Sequence, residues 1–228
     1  DVNSRLKPRK SSFYEDNHRP DIIFAYANVF GHEEDKKSFK AYPQTLIIDP
    51  DELFEKIVQA AKHKVAGKSY GKALRIEKRI LNYISFDAIL EESPRLLFIF
   101  CHGKRAQISG ATEFIFESLE RPYLADSYDE ARLLECLQDK NRRYNIDAIV
   151  LSTCHSEQFG KILLKSIRPP PAIIAINGEQ KVQQTSTFQF NPKFIEKLID
   201  GTSVKEAFKA AQRIVASGPR GDTKICCC

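Results

Sequence analysis

Four short apolar runs interrupt an otherwise mixed chain: 22–27 (IIFAYA), 96–100 (LLFIF), 149–151 and 172–176 (AIIAI). Runs of this length without alternation are what strands buried on both faces of a parallel sheet require. A further strand is predicted at 46–48, after a charged, loop-like stretch over 31–44. Helical spacing fills the intervals. Asp49 as cap, Pro50 in the first helical position and Glu52 as the far end of a capping box open a helix that turns Leu53, Phe54, Ile57, Val58 and Ala61 to one face. The Gly- and Lys-rich stretch 62–72 leads to a second predicted helix through Leu81. Residues 104–120 alternate weakly, with Phe114 and Phe116 on one face, and predict a hairpin beside the main sheet.

Ser127 and Glu130 form another capping box, opening a helix with Ala131, Leu134 and Leu137 inward. Phe159, Ile162, Leu163 and Ile167 mark a helix that the prolines at 169–171 end. Residues 177–191 read as a polar loop. Asn191 then caps and Pro192 starts a short helix closed by Gly201, and the Ser203–Glu206 box opens a last helix burying Val204, Ala207, Phe208, Ala211 and Ile214. Strand and helix alternate through most of the chain, which predicts an α/β fold with a mainly parallel sheet and helices on both faces.

At 228 residues and 42% hydrophobic, the chain suits one α/β domain with a full core. Residues 1–19 read as a polar lead-in, 20–217 as the domain and 218–228 as a flexible Cys-rich tail. No apolar run approaches the roughly 18 residues that cross a bilayer, and the basic N-terminus has no apolar stretch of a secretory signal. The expectation is an intracellular, cytoplasmic domain without a membrane span. Methionine is absent, so the chain reads as a piece of a longer one that carries further domains. A net charge of +5, with both signs interleaved, gives no basic stripe, and no nucleic-acid partner is expected.

Candidate chemistry sits at strand ends. In an open parallel sheet, reactive groups collect beyond the carboxyl ends of the strands, where loops meet helix N-termini. His102 and Cys154 each lie two or three residues past such a run. If their strands are neighbours, about 5 Å apart, the two side chains converge over one groove. An ordinary thiol, with a pKa of about 8.5, is only a few per cent thiolate at neutral pH. A nearby imidazole takes its proton, a helix start after Cys154 favours the anion, and Gly103 permits the close backbone approach by which its N–H, with that of Cys154, would hold an oxyanion. Cys154 follows His102 by 52 residues, close to the spacing of about 50 between the caspase histidine and cysteine.

The segments LLFIFCHG, IDAIVLSTCHSEQFGKIL and AIIAINGEQKVQQTSTFQFNPKFIEKLIDGTSVKEAFKAAQ resemble the CHAT domain, a caspase-like cysteine peptidase module related to metacaspases and separases. In that family HG follows one strand, C-x-S follows the next, and a fifth strand leads to a G-x-S-V-x-x-A helix. Here those elements match His102-Gly103, Cys154-His155-Ser156, and Gly201-Thr202-Ser203-Val204 with Ala207. The resemblance covers about 20–217. It implies a caspase-haemoglobinase-like three-layer sandwich that cleaves a protein or peptide partner, with Cys154 as nucleophile, His102 as base, the Gly103 and Cys154 amides as oxyanion hole, and no cofactor or metal. One departure stands out. Metacaspases carry D-S-C-H-S-G, with an acidic residue two before the nucleophile, and this chain has Ser152 there. A preference for Lys or Arg is therefore not implied. Substrate contacts are expected at Ser152 and at Glu179, the acidic group of the 177–191 loop.

Other readings stand beside this one. Cys101, His102, Cys154 and His155 form an alternative metal cluster, although no C-x-x-C spacing announces one. Cys101 and Cys136 read as structural, and His155 needs no role. The terminal Cys226, Cys227 and Cys228 suggest lipidation, but the prenylation rule asks for Cys where Ile225 stands. A catalytically silent CHAT-like scaffold in a larger sensor protein is the competing function, and a flavodoxin-like binding module lacks a Gly-rich phosphate loop after its first strand.

Overall fold

A computed structural model describes residues 19–27, 50–66, 74–105, 112–120, 125–135, 137, 144–176, 184–216 and 225–227. The main sheet is built from β1 (Ile22–Tyr26), β2 (Ile76–Ile80), β3 (Leu96–Phe100), β7 (Ala148–Ser152), β8 (Ala172–Ile176) and β9 (Ile225–Cys227). A smaller sheet holds β4 (His102–Arg105), β5 (Thr112–Glu117) and β6 (Ala125–Asp129). The helices are α1 (Pro50–Ala66), α2 (Tyr83–Glu91), α3 (Glu130–Glu135), α4 (Glu157–Ser166), α5 (Gln184–Ile199) and α6 (Val204–Ala216). The main sheet runs β2-β1-β3-β7-β8-β9, with the first five strands parallel and β9 antiparallel to β8.

Two cores follow from the period of two along each strand. Ile23, Ala25, Leu97, Ile99, Ile149, Leu151, Ile173 and Ala175 point to one face, where Phe86 of α2, Leu133 of α3, Phe159 and Leu163 of α4, and Phe114 and Phe116 of the small sheet cover them. Ile22, Phe24, Leu96, Phe98, Phe100, Val150, Ile174 and Ile176 point to the other, under Leu53 and Ile57 of α1, Phe190 and Phe194 of α5, and Ala207 and Phe208 of α6. The sequence expectation of a parallel sheet sandwiched between helices holds, and so does the Ser203–Glu206 box: the Glu206 amide donates to the Ser203 hydroxyl at 3.3 Å and the Ser203 amide to the Glu206 carboxylate at 3.1 Å.

Several local expectations fail for identifiable reasons. Residues 76–80 (IEKRI) form the edge strand β2 instead of the end of a helix; their spacing fits either state, and the unpaired edge of β1 accepts them in register from Ile22↔Ile76 to Tyr26↔Ile80. Helix α2 starts only after Asn82, which exchanges hydrogen bonds with Ser85 at 2.8 Å in each direction. Ser127 lies in β6 and donates to Glu113, so the cap of α3 moves to Asp129, which accepts the Arg132 amide at 2.8 Å. Leu133 and Leu137 are then buried, while Ala131 is exposed.

The 177–191 loop is in fact helical from Gln184, and Asn191 and Pro192 sit inside α5. An interior proline costs a helix about 3 kcal/mol. Burying Phe190, Phe194 and Ile195, each at 1% exposure or less, is worth about 1.5–3 kcal/mol per side chain and outweighs that penalty. Ile225–Cys227, expected in a flexible tail, pairs with the outer edge of β8, whose backbone groups offer a ready template. The strand expected at 46–48, the Asp49 cap and Cys136 lie outside the described residues.

Gly160 lets α4 lie directly on the sheet: a Cβ there would stand 2.8 Å from Ile173 Cγ2 and 3.2 Å from Ala175 Cβ. Gly160→Ala is therefore expected to lower stability by about 1–3 kcal/mol through overpacking, even though alanine alone gains a helix up to about 1 kcal/mol over glycine. A urea midpoint at or above that of the wild type would refute this close packing of α4 on β8.

Candidate active site

The site grows from one strand pair. β3 and β7 are parallel neighbours, in register from Leu96↔Ala148 to Phe100↔Ser152. One residue further on each strand, Cys101 and Thr153 bring Sγ and Oγ1 to 3.3 Å. One more step brings the chain to His102 and Cys154. The condition set by the sequence, that the two strands be adjacent, is met, and both residues leave the sheet at the same level. Gly103 packs against the far side of this crossing: a Cβ there would overlap the Cys154 carbonyl oxygen and stand 2.9 Å from Thr153 Cγ2. No side chain larger than hydrogen fits, so His102-Gly103 and the Cys154 backbone touch because of the glycine.

The two cysteines of this crossing are separated by strand alternation. Cys101 turns into the core with Ile99 and Phe114 and is 6% exposed. Burial pushes its thiol up to about 12; hydrogen bonds from Thr153 and the Ile115 backbone offset this only in part, and the neighbouring Cys154 adds to the rise. Cys101 is an inert structural thiol, as expected from the sequence. Cys154 is half-buried, packs against the opposite core and is free of any disulfide. Burial also lowers the His102 imidazole to about 4, so at neutral pH the ring is uncharged. Among the described residues, no group of three or more His, Cys, Asp or Glu is arranged to hold a metal.

The turn carrying Cys154 is held from several directions. His155 has a positive φ of 58°, a conformation of sparse population for a side-chain-bearing residue, and its carbonyl accepts a 3.1 Å hydrogen bond from the Thr112 hydroxyl on β5. Ser156, fully buried, donates to Leu151 O at 3.4 Å and accepts from the Ile176 amide at 3.0 Å. Helix α4 begins at the next residue. Ser152 is 7% exposed, and its hydroxyl accepts from Asn191 Nδ2 of α5 at 3.2 Å. Beside this pair a small apolar crevice opens between β7, β8 and α5, lined by Val150, Ile174, Ile176, Thr187 and Phe190. Glu179 lies outside the described residues.

No protein-family model matches the chain, and no curated protein matches it by sequence. Among solved structures, the crystal structure of the Drosophila initiator caspase Dronc is similar, with a TM-score of 0.50 and 8% identity, covering 92% of this chain and 81% of that one. The fold is caspase-like.

Within this caspase-like fold, His102 and Gly103 follow β3 and Cys154 follows β7 at the same end of the sheet, while Ser152 stands two residues back with its hydroxyl engaged inside. Thr112 and Thr153 had no sequence signal, and Asn191 only that of a helix cap: each acts through a hydrogen bond to a residue 39 to 52 positions away. Ser156 did have one, as the serine of C-x-S, but nothing in the motif says that it faces the core.

The lowered His102 value sets a pH dependence of stability. The ring binds a proton near 6.5 when unfolded but only near 4 when folded. Below about 6.5 the unfolded state therefore holds more protons, and the stability present above that pH is lost as pH falls toward 4. Urea unfolding at pH 7 and pH 5 should show a smaller loss in His102→Gln than in the wild type. Identical losses in the two proteins would mean that the imidazole is not buried in its neutral form.

Proposed function

We propose that this chain is a cysteine endopeptidase of the CHAT type, its domain spanning about 20–217, with Cys154 as nucleophile and His102 as base. The observation that carries the proposal is the β3–β7 register, which delivers a histidine and a half-buried cysteine outside any disulfide to the same level of adjacent strand ends, shortly before a helix N-terminus. The caspase-like fold supports a protein or peptide as substrate. A cytoplasmic setting, which keeps such a thiol reduced, belongs to the same reading. No helix among the described residues is long and apolar enough to cross a membrane.

The low His102 value shapes the chemistry. An uncharged ring is not the imidazolium half of a preformed ion pair. The proton moves from Sγ to the imidazole as sulfur attacks the scissile carbonyl carbon, and the developing oxyanion faces the Cys154 and Gly103 amides. Collapse expels the amine, which takes the proton from His102, and leaves a thioester on Cys154. Water then attacks that thioester, giving its proton to His102, and the thiol leaves with it.

Cys154→Ala is expected to abolish turnover and His102→Ala to lower kcat by about 10²–10⁴-fold, with far-UV circular dichroism unchanged in both. In the wild type, the acidic limb of kcat/KM should lie well below 6.5, near 4, because activity needs the unprotonated ring. A few-fold loss in either variant, or an acidic limb at 6.5, would remove the assignment.

The position two before Cys154 is filled by Ser152, a neutral hydroxyl engaged by Asn191, so no carboxylate stands there to meet a basic side chain. A guanidinium or ammonium left unpaired there would lose several kcal/mol. A peptide library should therefore show neutral or apolar residues accepted before the scissile bond, or a basic preference that disappears in Glu179→Gln. Strict selection of Arg or Lys that survives Glu179→Gln would contradict this description of the pocket.

A further inference from the structure

Strand β7 is paired unequally on its two sides. Against β3 the ladder runs to the last residue, Phe100↔Ser152. Against β8 it stops at Val150↔Ile174. The phase of that second ladder follows from its first rung, in which the Ala172 amide donates to Asp147 O at 3.0 Å. Rungs of this sense recur every second residue in a parallel pair, so the Ile174 amide belongs to Ile149 O and the Ile176 amide to Leu151 O. That last rung is replaced. The Ile176 amide donates to Ser156 Oγ at 3.0 Å, and the Ser156 hydroxyl donates to Leu151 O at 3.4 Å.

We propose that Ser156 is a positioning residue that acts as a spacer in this rung, holding the carboxyl ends of β7 and β8 one hydroxyl apart and thereby fixing the Cys154 turn. One feature of the site, a crevice, lies in the space it maintains. The apolar crevice beside Ser152 is lined by the separated residues Leu151 and Ile176 themselves. Ser156 caps nothing with its side chain, so its hydroxyl is committed to the two strands, while its carbonyl accepts the Gly160 amide at 2.9 Å as the first turn of α4. The same residue therefore ties the start of the helix behind Cys154 to both strand ends. Without the hydroxyl, Leu151 O and the Ile176 N–H are free to close directly, drawing the strands together and rotating the turn that holds His155 at positive φ. This role rests on the peptidase reading only for its effect on turnover; the spacing itself does not.

The test compares Ser156→Ala, Ser156→Thr and wild type. It uses Cys154 alkylation by iodoacetamide, located by peptide mass spectrometry, together with kcat and KM on a cleaved library peptide. Ser156→Ala should remain folded by circular dichroism, alter the Cys154 alkylation rate by about tenfold or more, and lower kcat by a similar factor with KM within about threefold. Ser156→Thr, which keeps the hydroxyl, should recover most of both. Alkylation and kcat equal to wild type in a folded Ser156→Ala would overturn the proposal. Should the alanine variant not fold, Ser156→Cys substitutes a longer, weaker donor: a changed Cys154 rate in it supports the spacer, and an unchanged rate overturns it. If wild type cleaves no peptide yet the alkylation rate still changes in the folded variant, the spacer stands and the peptidase reading falls.

Discussion

Everything at the site depends on the parallel pairing of β3 with β7 in the register Phe100↔Ser152. A parallel ladder keeps equivalent residues level, so two chain segments that are 52 residues apart in sequence leave the sheet side by side. A slip of one residue would exchange every inward and outward side chain of one strand. It would put the Thr153 or the Cys101 side chain where Cys154 or His102 now stands. Such a slip is blocked by the strands themselves, because both faces of each are packed: Leu97 and Ile99 with Ile149 and Leu151 in one core, Phe98 and Phe100 with Val150 in the other.

The same alternation separates two thiols that are neighbours in space. Cys101 faces the core, where desolvation keeps it protonated far above neutral pH. Cys154, on the other side of the sheet plane, stays half-buried at the edge. His102 shares the edge but is still desolvated enough to be neutral. Desolvation thus sets the resting protonation of the crossing: a thiol locked in the core and an uncharged imidazole at the rim.

The parts of this arrangement that were legible in the sequence are those written in apolar runs. LLFIF and AIIAI are buried on both faces and read as central strands with no competing pattern, and the residues following two such runs identified the candidate site. What misled was local chemistry with two uses. Ile76 and Ile80 fit a helix face or the two ends of an edge strand, and only the open edge of β1 decides between them. Ser127 and Glu130 have capping-box spacing, but Ser127 is drawn into β6 by its partners on β5. Asn191-Pro192 looks like a helix start because each residue favours one. In place, Asn191 reaches Ser152 across the core surface, and aromatic burial on either side carries the helix through the proline. Each error is a tertiary contact overriding a local preference, and no window of sequence contains the contact.

The separation of β7 from β8 shows how such a site is opened at little cost. Breaking a buried rung and leaving its amide and carbonyl unpaired would cost about 1–3 kcal/mol for each group. Here neither group is left alone, because one buried hydroxyl serves as acceptor to Ile176 and donor to Leu151. The direct rung is exchanged for a bridge through Ser156 Oγ, and the hydrogen-bonded path between the strands remains continuous. β7 is thus closed to its end on the side that delivers His102 and opened by one rung on the side where the crevice lies. A side chain at the tip of such a strand is held by one neighbour and given room by the other, the combination that the proposed attack of Cys154 on a bound carbonyl would require.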